Sequence, residues 1–284
     1  MTIETTPLTH ASFYKFVNLD DPPATVAALQ LICDAVNAGA PENAPDTLKG
    51  IIWVAQEGLN GMLAASMPRL DAFEAALKTN AVFAGAFSDV QFKHSHCTTK
   101  PFWKLKIRLK PEVLPLGIEN VDARQTGQNL SPAQWREMLQ RDDVVLLDNR
   151  NSFEYRLGRF KGAIDPKVQN FRDFPKYVEA NVAQWKADGK TVAMYCTGGI
   201  RCEKTSAWMK EFDVPVVQLE GGILNYFLAL PDAQKEFEGE CFVFDNRIAI
   251  DTKLQETATT FEQVYEGEPD GEWRIARAKR LHRD

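Results

Sequence analysis

The apolar residues in the first part of the chain come in short runs, separated by stretches with a helical spacing of apolar positions. In residues 1–122 this pattern predicts two strand–helix–strand units and one further strand. The predicted helices span residues 23–38 and 68–77, and the predicted strands span 13–17, 50–54, 62–65, 90–93 and 105–109. This order of elements favours a small α+β domain of the ferredoxin-like or acylphosphatase-like kind.

A different pattern follows and extends over residues 123–235. Residues 113–129 show neither a helical nor a strand period of apolar positions, and they contain one proline and two glycines. We therefore predict a linker there. Ser131-Pro132 is typical of a helix start, and the continuous apolar run at 144–148 is typical of a buried parallel strand. Further strands are predicted at 191–195 and 214–219, with helices at 174–186 and 202–212. This alternation predicts an α/β domain with a parallel sheet.

Residues 236–284 form a C-terminal extension in this interpretation. They are polar and show no clear period of core positions. We expect the extension to be partly disordered or to pack against the domain before it. Its end is rich in cations that are candidates for phosphate contacts, or simply solubilise the tail: Arg274, Arg277, Lys279, Arg280 and Arg283.

The composition is that of a globular protein, because 44% of the 284 residues are hydrophobic and 25% are charged. The N-terminus lacks a basic start followed by an apolar run, and no stretch approaches the roughly 20 apolar residues of a membrane span. We expect a cytoplasmic protein with neither a membrane nor DNA as a partner. The net charge of −6 argues against coating of nucleic acid, although a local basic face could still dock a structured RNA.

The five cysteines are odd in number, far apart and never in a Cys-x-x-Cys arrangement. This argues against a disulfide framework or a zinc site, and reduced thiols are expected. His94 and His96 have no carboxylate or cysteine at a helpful spacing for a metal. We therefore expect no metal, and no motif for an organic cofactor is evident.

Cys196 directly follows a predicted buried strand and begins a loop that continues through Thr197, Gly198, Gly199 and Ile200 to Arg201. A loop at this strand edge is where open α/β sheets bind ligands. Glycines allow its N–H groups to point inward, and the predicted helix near Cys202 adds partial positive charge. Together with the charge of Arg201, these features predict a thiol pKa below the free value of about 8.5.

The pattern Cys-x-x-Gly-x-Arg between a strand and a helix resembles the active-site loop of the rhodanese family, and the likeness spans residues 131–230. Four residues separate Cys196 from Arg201, as in rhodaneses, whereas the related phosphatases have five. The shorter loop suits a persulfide sulfur and argues against phosphatase activity. Other segments that carry the resemblance are Asp148 with Arg150, residues 154–163, and Glu220-Gly221-Gly222-Ile223.

The flanks are similar to those of the rhodanese-domain tRNA uridine hydroxylases. The matching segments are residues 196–204, Gln56-Glu57-Gly58-Leu59-Asn60-Gly61, Lys104-Leu105-Lys106-Ile107-Arg108 and Cys241-Phe242-Val243-Phe244-Asp245. The resemblance implies an oxidoreductase of the monooxygenase type, which uses molecular oxygen to form 5-hydroxyuridine at position 34 in the tRNA anticodon loop. Catalysis would depend on Cys196 and Arg201.

Two other functions stay open. The first is a sulfurtransferase that moves sulfane sulfur through a Cys196 persulfide. The second is a non-catalytic module that binds RNA or a partner, which the presence of both Cys196 and Arg201 weakens. Cys202 is either a packed helix position or a residue that resolves an oxidised or persulfidated Cys196.

Apolar and basic residues alternate through residues 102–110, as in a strand with one buried side. The predicted buried side carries Trp103, Leu105, Ile107 and Leu109. The other side carries Lys104, Lys106 and Arg108, which are candidates for contact with the tRNA backbone. A solvated strand face is the competing interpretation.

Overall fold

The computed structural model describes residues 7–41 and 44–283, and for residues 281–283 it describes the backbone alone. The chain divides into two compact units. The first comprises Met1–Val113, Asp245–Arg247 and Ala276–Asp284, and the second comprises Leu114–Phe244 and Ile248–Ile275.

The first unit is an α+β fold, as predicted. Its elements are β1 (Leu8–Phe16), α1 (Pro22–Asn37), β2 (Lys49–Ala55), β3 (Gly58–Ala65), α2 (Met67–Thr79), β4 (Phe92–Cys97) and β5 (Leu105–Leu109). The strands form one sheet in the order β4-β1-β3-β2-β5. All neighbours are antiparallel except β2 and β5, which run parallel at the edge.

Both helices pack on one face of this sheet. Phe13, Ile52 and Leu63 point to that face and form a core with Leu29 of α1 and Phe73 of α2. Side chains alternate between the two faces of a strand, so the neighbouring positions point away from the helices.

The buried side predicted for residues 102–110 is only partly correct. Leu105 and Ile107 pack against the core. Trp103 is 47% exposed and Leu109 is 52% exposed. Because β5 is an edge strand, the helices cover its middle and leave both ends of the apolar row in solvent.

The second unit contains the parallel sheet that the sequence predicts. Its first elements are β6 (Gln128–Leu130), α3 (Pro132–Met138), β7 (Val144–Asp148), α4 (Ser152–Leu157), β8 (Gly158–Phe160), α5 (Phe174–Ala187), β9 (Thr191–Tyr195), α6 (Ile200–Met209) and β10 (Val216–Leu219). After them come α7 (Gly222–Ala229), β11 (Phe237–Gly239), β12 (Cys241–Phe242), β13 (Ala249–Ile250), α8 (Phe261–Val264) and the start of α9 (Gly271–Arg283), whose residues from Ala276 onward belong to the first unit. The parallel sheet has the order β6-β10-β9-β7.

Helices cover both faces of this sheet. Along β9, Ala193 and Tyr195 enter one hydrophobic core, whereas Val192 and Met194 enter the other. A strand buried on both faces reads as a continuous apolar run, which explains the sequence pattern. The carboxyl end of β9, at the middle of the sheet, presents Cys196.

Residues 113–129 are not a free linker. Leu116 is fully buried in the core beside α5 and α6. The Ser206 hydroxyl accepts the Gly127 N–H at 2.9 Å and lies 3.0 Å from the Thr126 hydroxyl. The segment lacks a regular period because irregular side-chain contacts, not a helix or strand ladder, hold it on the second unit.

The first part of the C-terminal extension is packed, whereas residues 272–280 of α9 are exposed or half-buried. Cys241, Phe242 and Val243 are buried, as is Val264 of α8. β12 and β13 have two residues each, which is too short for a detectable period. The segment Asp245–Arg247 belongs to the first unit, where the Asp245 carboxylate accepts two hydrogen bonds from Arg247.

No helix among the described residues is long and apolar enough to cross a membrane.

Candidate active site

The Cys196 loop connects β9 to α6. Gly199 is the cap residue of α6 and has φ 100°, a left-handed conformation that favours glycine. Its N–H donates to Cys196 Sγ at 3.1 Å. The helix begins at Ile200, two residues earlier than predicted, because the left-handed turn at Gly199 ends the loop there. Ile200, Arg201 and Cys202 therefore lie in the first helical turn.

The N-terminus of α7 holds the other side of the loop. Ile223 N–H donates to the Cys196 carbonyl at 3.0 Å, and Leu224 N–H donates to the Thr197 carbonyl at 3.1 Å. Gly222, with φ 68°, lies directly against the loop backbone. Because α7 takes up both carbonyl groups, the loop keeps its N–H groups turned toward the sulfur. From the sequence, Gly222 was identified only within a segment that resembles the rhodanese family. The pair of glycines before a helix is the feature that could have indicated its role.

Arg201 forms a buried ion pair that the sequence analysis missed. Its two terminal nitrogens donate to the two carboxylate oxygens of Glu154, each at 2.9 Å. The Glu154 carboxylate is fully buried and also accepts the Asn151 N–H at 3.1 Å. Arg201 thus acts on Cys196 through its charge, while its guanidinium fork is bound to Glu154.

A second buried ion pair lies at the carboxyl end of β7. Arg150 donates to the two oxygens of Asp148 at 2.8 and 2.6 Å, and both side chains are completely buried. The Tyr195 hydroxyl donates to Asp148 at 2.7 Å. Arg150 also donates to the Gly158 carbonyl at 2.6 Å. These contacts join the ends of β7 and β9 beside the Cys196 loop.

Cys196 has a thiol pKa below its ordinary value, in the direction expected. Burial alone raises this pKa. A hydrogen bond from Cys202, the charge of Arg201 and the N–H groups of Cys202 and Arg201 outweigh burial and lower the pKa to about 6. Cys196 is therefore a thiolate at neutral pH.

The pKa of Cys202 shifts the opposite way. Burial raises it well above its ordinary value, and the neighbouring Cys196 raises it further. Cys202 therefore stays a protonated thiol that donates to the thiolate. A resolving role for Cys202 stays a prediction.

The other buried cysteines show what the loop contributes. Burial raises the pKa of Cys33 to about 12, and burial likewise raises the pKa of Cys241 to about 12. All five cysteines are buried and free. Burial is common to them, so the donors of the Cys196 loop account for the difference.

Among the described residues, no group of three or more His, Cys, Asp or Glu side chains is arranged to hold a metal ion. His94 lies 2.6 Å from the Glu74 carboxylate, a partner that is distant in sequence.

Two features at the rim of the site bear on substrate access. A Cβ atom at Gly198 would have no atom within 4 Å, so the space beside this residue is open. Phe244 is 47% exposed, and its ring centroid is 5.6 Å from the Arg201 guanidinium carbon. Cys196 itself is 1% exposed. From the sequence, Phe244 belongs only to a segment that resembles the tRNA uridine hydroxylases. No periodic pattern of apolar residues indicates a role for its ring.

The predicted site residues fall into two groups. Cys196, Thr197, Gly198, Gly199, Ile200, Arg201 and Cys202 lie together in the second unit. Lys104, Lys106 and Arg108 lie on or next to β5 of the first unit. In the basic C-terminal end, Arg274 is bound to Asp270 at 2.7 Å, which favours a structural role, and the Arg283 side chain lies outside the described residues.

Comparisons with known proteins agree with this organisation. A family model described as UPF0176 acylphosphatase like domain matches residues 8–113, and a rhodanese-like domain model matches residues 131–229. The chain is 41% identical to a tRNA uridine(34) hydroxylase of Legionella pneumophila (strain Paris) over 260 residues, which are 91% of this chain and 96% of that protein.

A protein of the same name from Acinetobacter baumannii (strain AYE) is 41% identical over 249 residues, 87% of this chain and 74% of that protein. One from Deinococcus radiodurans is 39% identical over 251 residues, 88% of this chain and 78% of that protein.

The first prediction concerns the charge state of Cys196. The thiolate absorbance that is present in the native protein and absent from Cys196→Ser should titrate with a midpoint near pH 6. Absorbance is suited to this site because it does not require a reagent to reach a side chain with 1% exposure. Cys202→Ala should move the midpoint upward, because it removes a donor to the thiolate. A native midpoint at or above about 8.5, the value of free cysteine, would contradict the assignment.

The second prediction concerns the contact of α7 with the loop. A Cβ at residue 222 would meet the carbonyl oxygen of Cys196 and lie 2.7 Å from that of Thr197 and 2.8 Å from the Gly199 nitrogen. Gly222→Ala should therefore displace the loop, raise the pKa of Cys196 and abolish most of the activity. The matched control is Gly189→Ala, since Gly189 also has a positive φ but open space around its Cβ position. Equal effects of the two substitutions would show that backbone strain alone is responsible.

Proposed function

The chain belongs to the family of tRNA uridine(34) hydroxylases, and on that premise we propose that it hydroxylates C5 of the uridine at position 34 of tRNA. The observation that carries the proposal is a buried thiolate, held at the end of a parallel strand by N–H donors. Such a group is a nucleophile at neutral pH without a separate general base. An enzyme that modifies tRNA works where tRNA is found, so we place it in the cytoplasm.

In the proposed reaction Cys196 attacks the base itself. Bond formation between Sγ and C6 removes the C5=C6 double bond and moves its electron pair onto C5 and O4 as an enolate. An enolate carbon reacts with an oxidant far more readily than the intact pyrimidine does. Covalent catalysis thus activates the carbon that receives oxygen.

Molecular oxygen is the co-substrate in this proposal. One oxygen atom is transferred to C5, and the other leaves as water after taking up two protons and two electrons from a reductant. Loss of the C5 proton together with the Cys196 thiolate restores the aromatic ring. The low pKa of Cys196 favours this last step because a weakly basic thiolate leaves readily.

The target base has to leave its stack to reach the thiolate. This costs least in a single-stranded anticodon loop, which is the part of tRNA that contains position 34. Tight burial of Cys196 means that substrate binding has to widen the approach to Sγ. The exposed ring of Phe244 beside Arg201 offers an aromatic surface on which an extruded uracil can stack.

The third prediction tests the function. Cells that lack the gene and carry the Cys196→Ser variant should contain no 5-hydroxyuridine-derived nucleosides in their tRNA, whereas cells that carry Cys33→Ser should contain normal amounts. Cys33 is the matched control because it is equally buried but lies in the first unit, away from the Cys196 loop. Nucleoside mass spectrometry is the measurement. Loss of thiolated nucleosides with hydroxylated ones intact would instead identify a sulfurtransferase.

The fourth prediction tests attack on the base. A tRNA with 5-fluorouridine at position 34 should form a covalent complex that resists denaturation, because fluorine at C5 blocks the proton loss that releases Cys196. The complex should be absent with Cys196→Ser and present with Cys241→Ser. If no adduct forms under conditions in which uridine is hydroxylated, Cys196 does not bond to C6 and acts as a carrier of sulfur or oxygen.

A further inference from the structure

The face of the first-unit sheet that points away from its helices has an ordered arrangement of side chains. On this face Ile51 lies beside Lys106, and Trp53 lies beside Arg108 on the neighbouring strand. Asn60 of β3 lies on the other side of Trp53. Lys104 comes next along the row of β5, since its carbonyl accepts the Gly50 N–H at 3.0 Å. A row of three cations thus runs beside a row of apolar and aromatic side chains.

The strands of this face carry charge of one sign, and the Asp245 carboxylate, which lies 3.4 Å from His10 of this face, is bound by Arg247. None of the described positions on the five strands that point away from the helices carries a carboxylate, although the protein has a net charge of −6. Within the part of the chain that the structure describes, Lys104, Lys106 and Arg108 form no ion pair. An anionic partner therefore meets no opposing charge on these strands.

Two further lysines extend the basic row past the start of β5. Burial and the neighbouring Lys100 lower the pKa of Lys49 to about 8. The Lys100 ammonium lies 4.6 Å from the ring centroid of Trp103, which is 47% exposed. The effect of Lys100 on the pKa of Lys49 shows that the two ammonium groups repel each other. A bound anion between them would remove this repulsion.

The spacing of the cations fits one nucleic acid strand. Alternate residues of a strand are about 6.6 Å apart, which is comparable to the distance between successive phosphates of an extended single strand. The aromatic side chain of Trp53 lies beside Arg108, where a base of that strand would project. A duplex hides its bases inside and would leave this ring without a stacking partner.

We propose that this face binds an unpaired stretch of the tRNA, with Lys104, Lys106 and Arg108 on successive phosphates and with Trp53 stacked on a base. The proposal rests on the tRNA-directed function and adds to it the surface, the single-stranded form of the RNA and the order of the contacts.

The fifth prediction measures binding of the full chain to two RNA probes, an anticodon stem–loop with uridine at position 34 and a fully paired duplex of equal length. The stem–loop should bind more tightly. The variant Lys104→Gln/Lys106→Gln/Arg108→Gln should bind it more weakly, and the slope of log K against log salt should fall by about 2, since each single-strand phosphate contributes about 0.7. The variant Lys176→Gln/Lys210→Gln/Lys253→Gln, with the same change in net charge at exposed positions of the second unit, should keep the native slope.

Stacking is tested with a single substitution. Trp53→Ala should weaken stem–loop binding by at least about fivefold, in line with the loss of one base–aromatic stack. Ile51→Ala is its control, because Ile51 is likewise half-buried and lies on the same row of β2 but offers no aromatic ring. Preferred binding of the duplex, or unchanged binding by the three-cation variant, would overturn the proposal and return the face to a solvated strand or a protein contact.

The outcome is separable from that of the hydroxylase assignment. Cys196→Ser should bind the stem–loop like the native chain. If the native chain binds the stem–loop through these residues, but tRNA from cells that carry the native chain shows no hydroxylation, the function fails and the surface stands. If hydroxylation depends on Cys196 but the β5 variants bind normally, the surface fails and the function stands. The thiolate absorbance of each β5 variant verifies that its second unit is folded.

Discussion

The second unit depends on keeping a negative charge at Cys196 inside the protein. A buried ion without compensation costs several kcal/mol even after relaxation of its surroundings. The nearby cations do not simply neutralise it, because Arg201 is bound to Glu154 and Arg150 is bound to Asp148. The thiolate is stabilised most by the hydrogen bond from the Cys202 thiol, next by the charge of Arg201, and then by the N–H groups of Cys202 and Arg201 at the start of α6.

This constraint explains features of the backbone that are otherwise unconnected. The Cys196 loop has to turn its N–H groups toward Sγ, so its carbonyl groups need donors on the opposite side, and α7 supplies them. Close approach of α7 is possible only without a side chain at Gly222. Because both terminal nitrogens of Arg201 donate to the Glu154 carboxylate, the guanidinium group does not bind the thiolate in a bidentate manner. The candidate site is thus built from two helix N-termini and one ion pair around a single sulfur atom.

Many of the strands and the position of the Cys196 loop could be predicted from the sequence, for physical reasons that differ between elements. β5, β7 and β9 have the predicted bounds because each is a short apolar or alternating run with clear ends. The partners of the Cys196 loop could not be predicted, since Glu154 and Gly222 are distant in sequence and are brought to the loop only by the fold. The packing of residues 241–250 was left open beside disorder because two-residue strands carry no period, and the exposure of Trp103 was missed because alternation does not reveal where helix cover ends.

A thiol pKa of about 6 is a compromise between two steps of the proposed reaction. A thiolate becomes less nucleophilic as its pKa falls, whereas the fraction of thiolate at neutral pH rises, so addition is fastest when the pKa is near ambient pH. Elimination from C6 has the opposite preference, because a less basic sulfur leaves faster. Burial alone would raise the pKa of Cys196, as it raises that of Cys241, and the sulfur would then be protonated and a poor leaving group. The donors of the Cys196 loop lower the pKa far enough for both steps to proceed, without making the sulfur too weak a nucleophile to attack a pyrimidine.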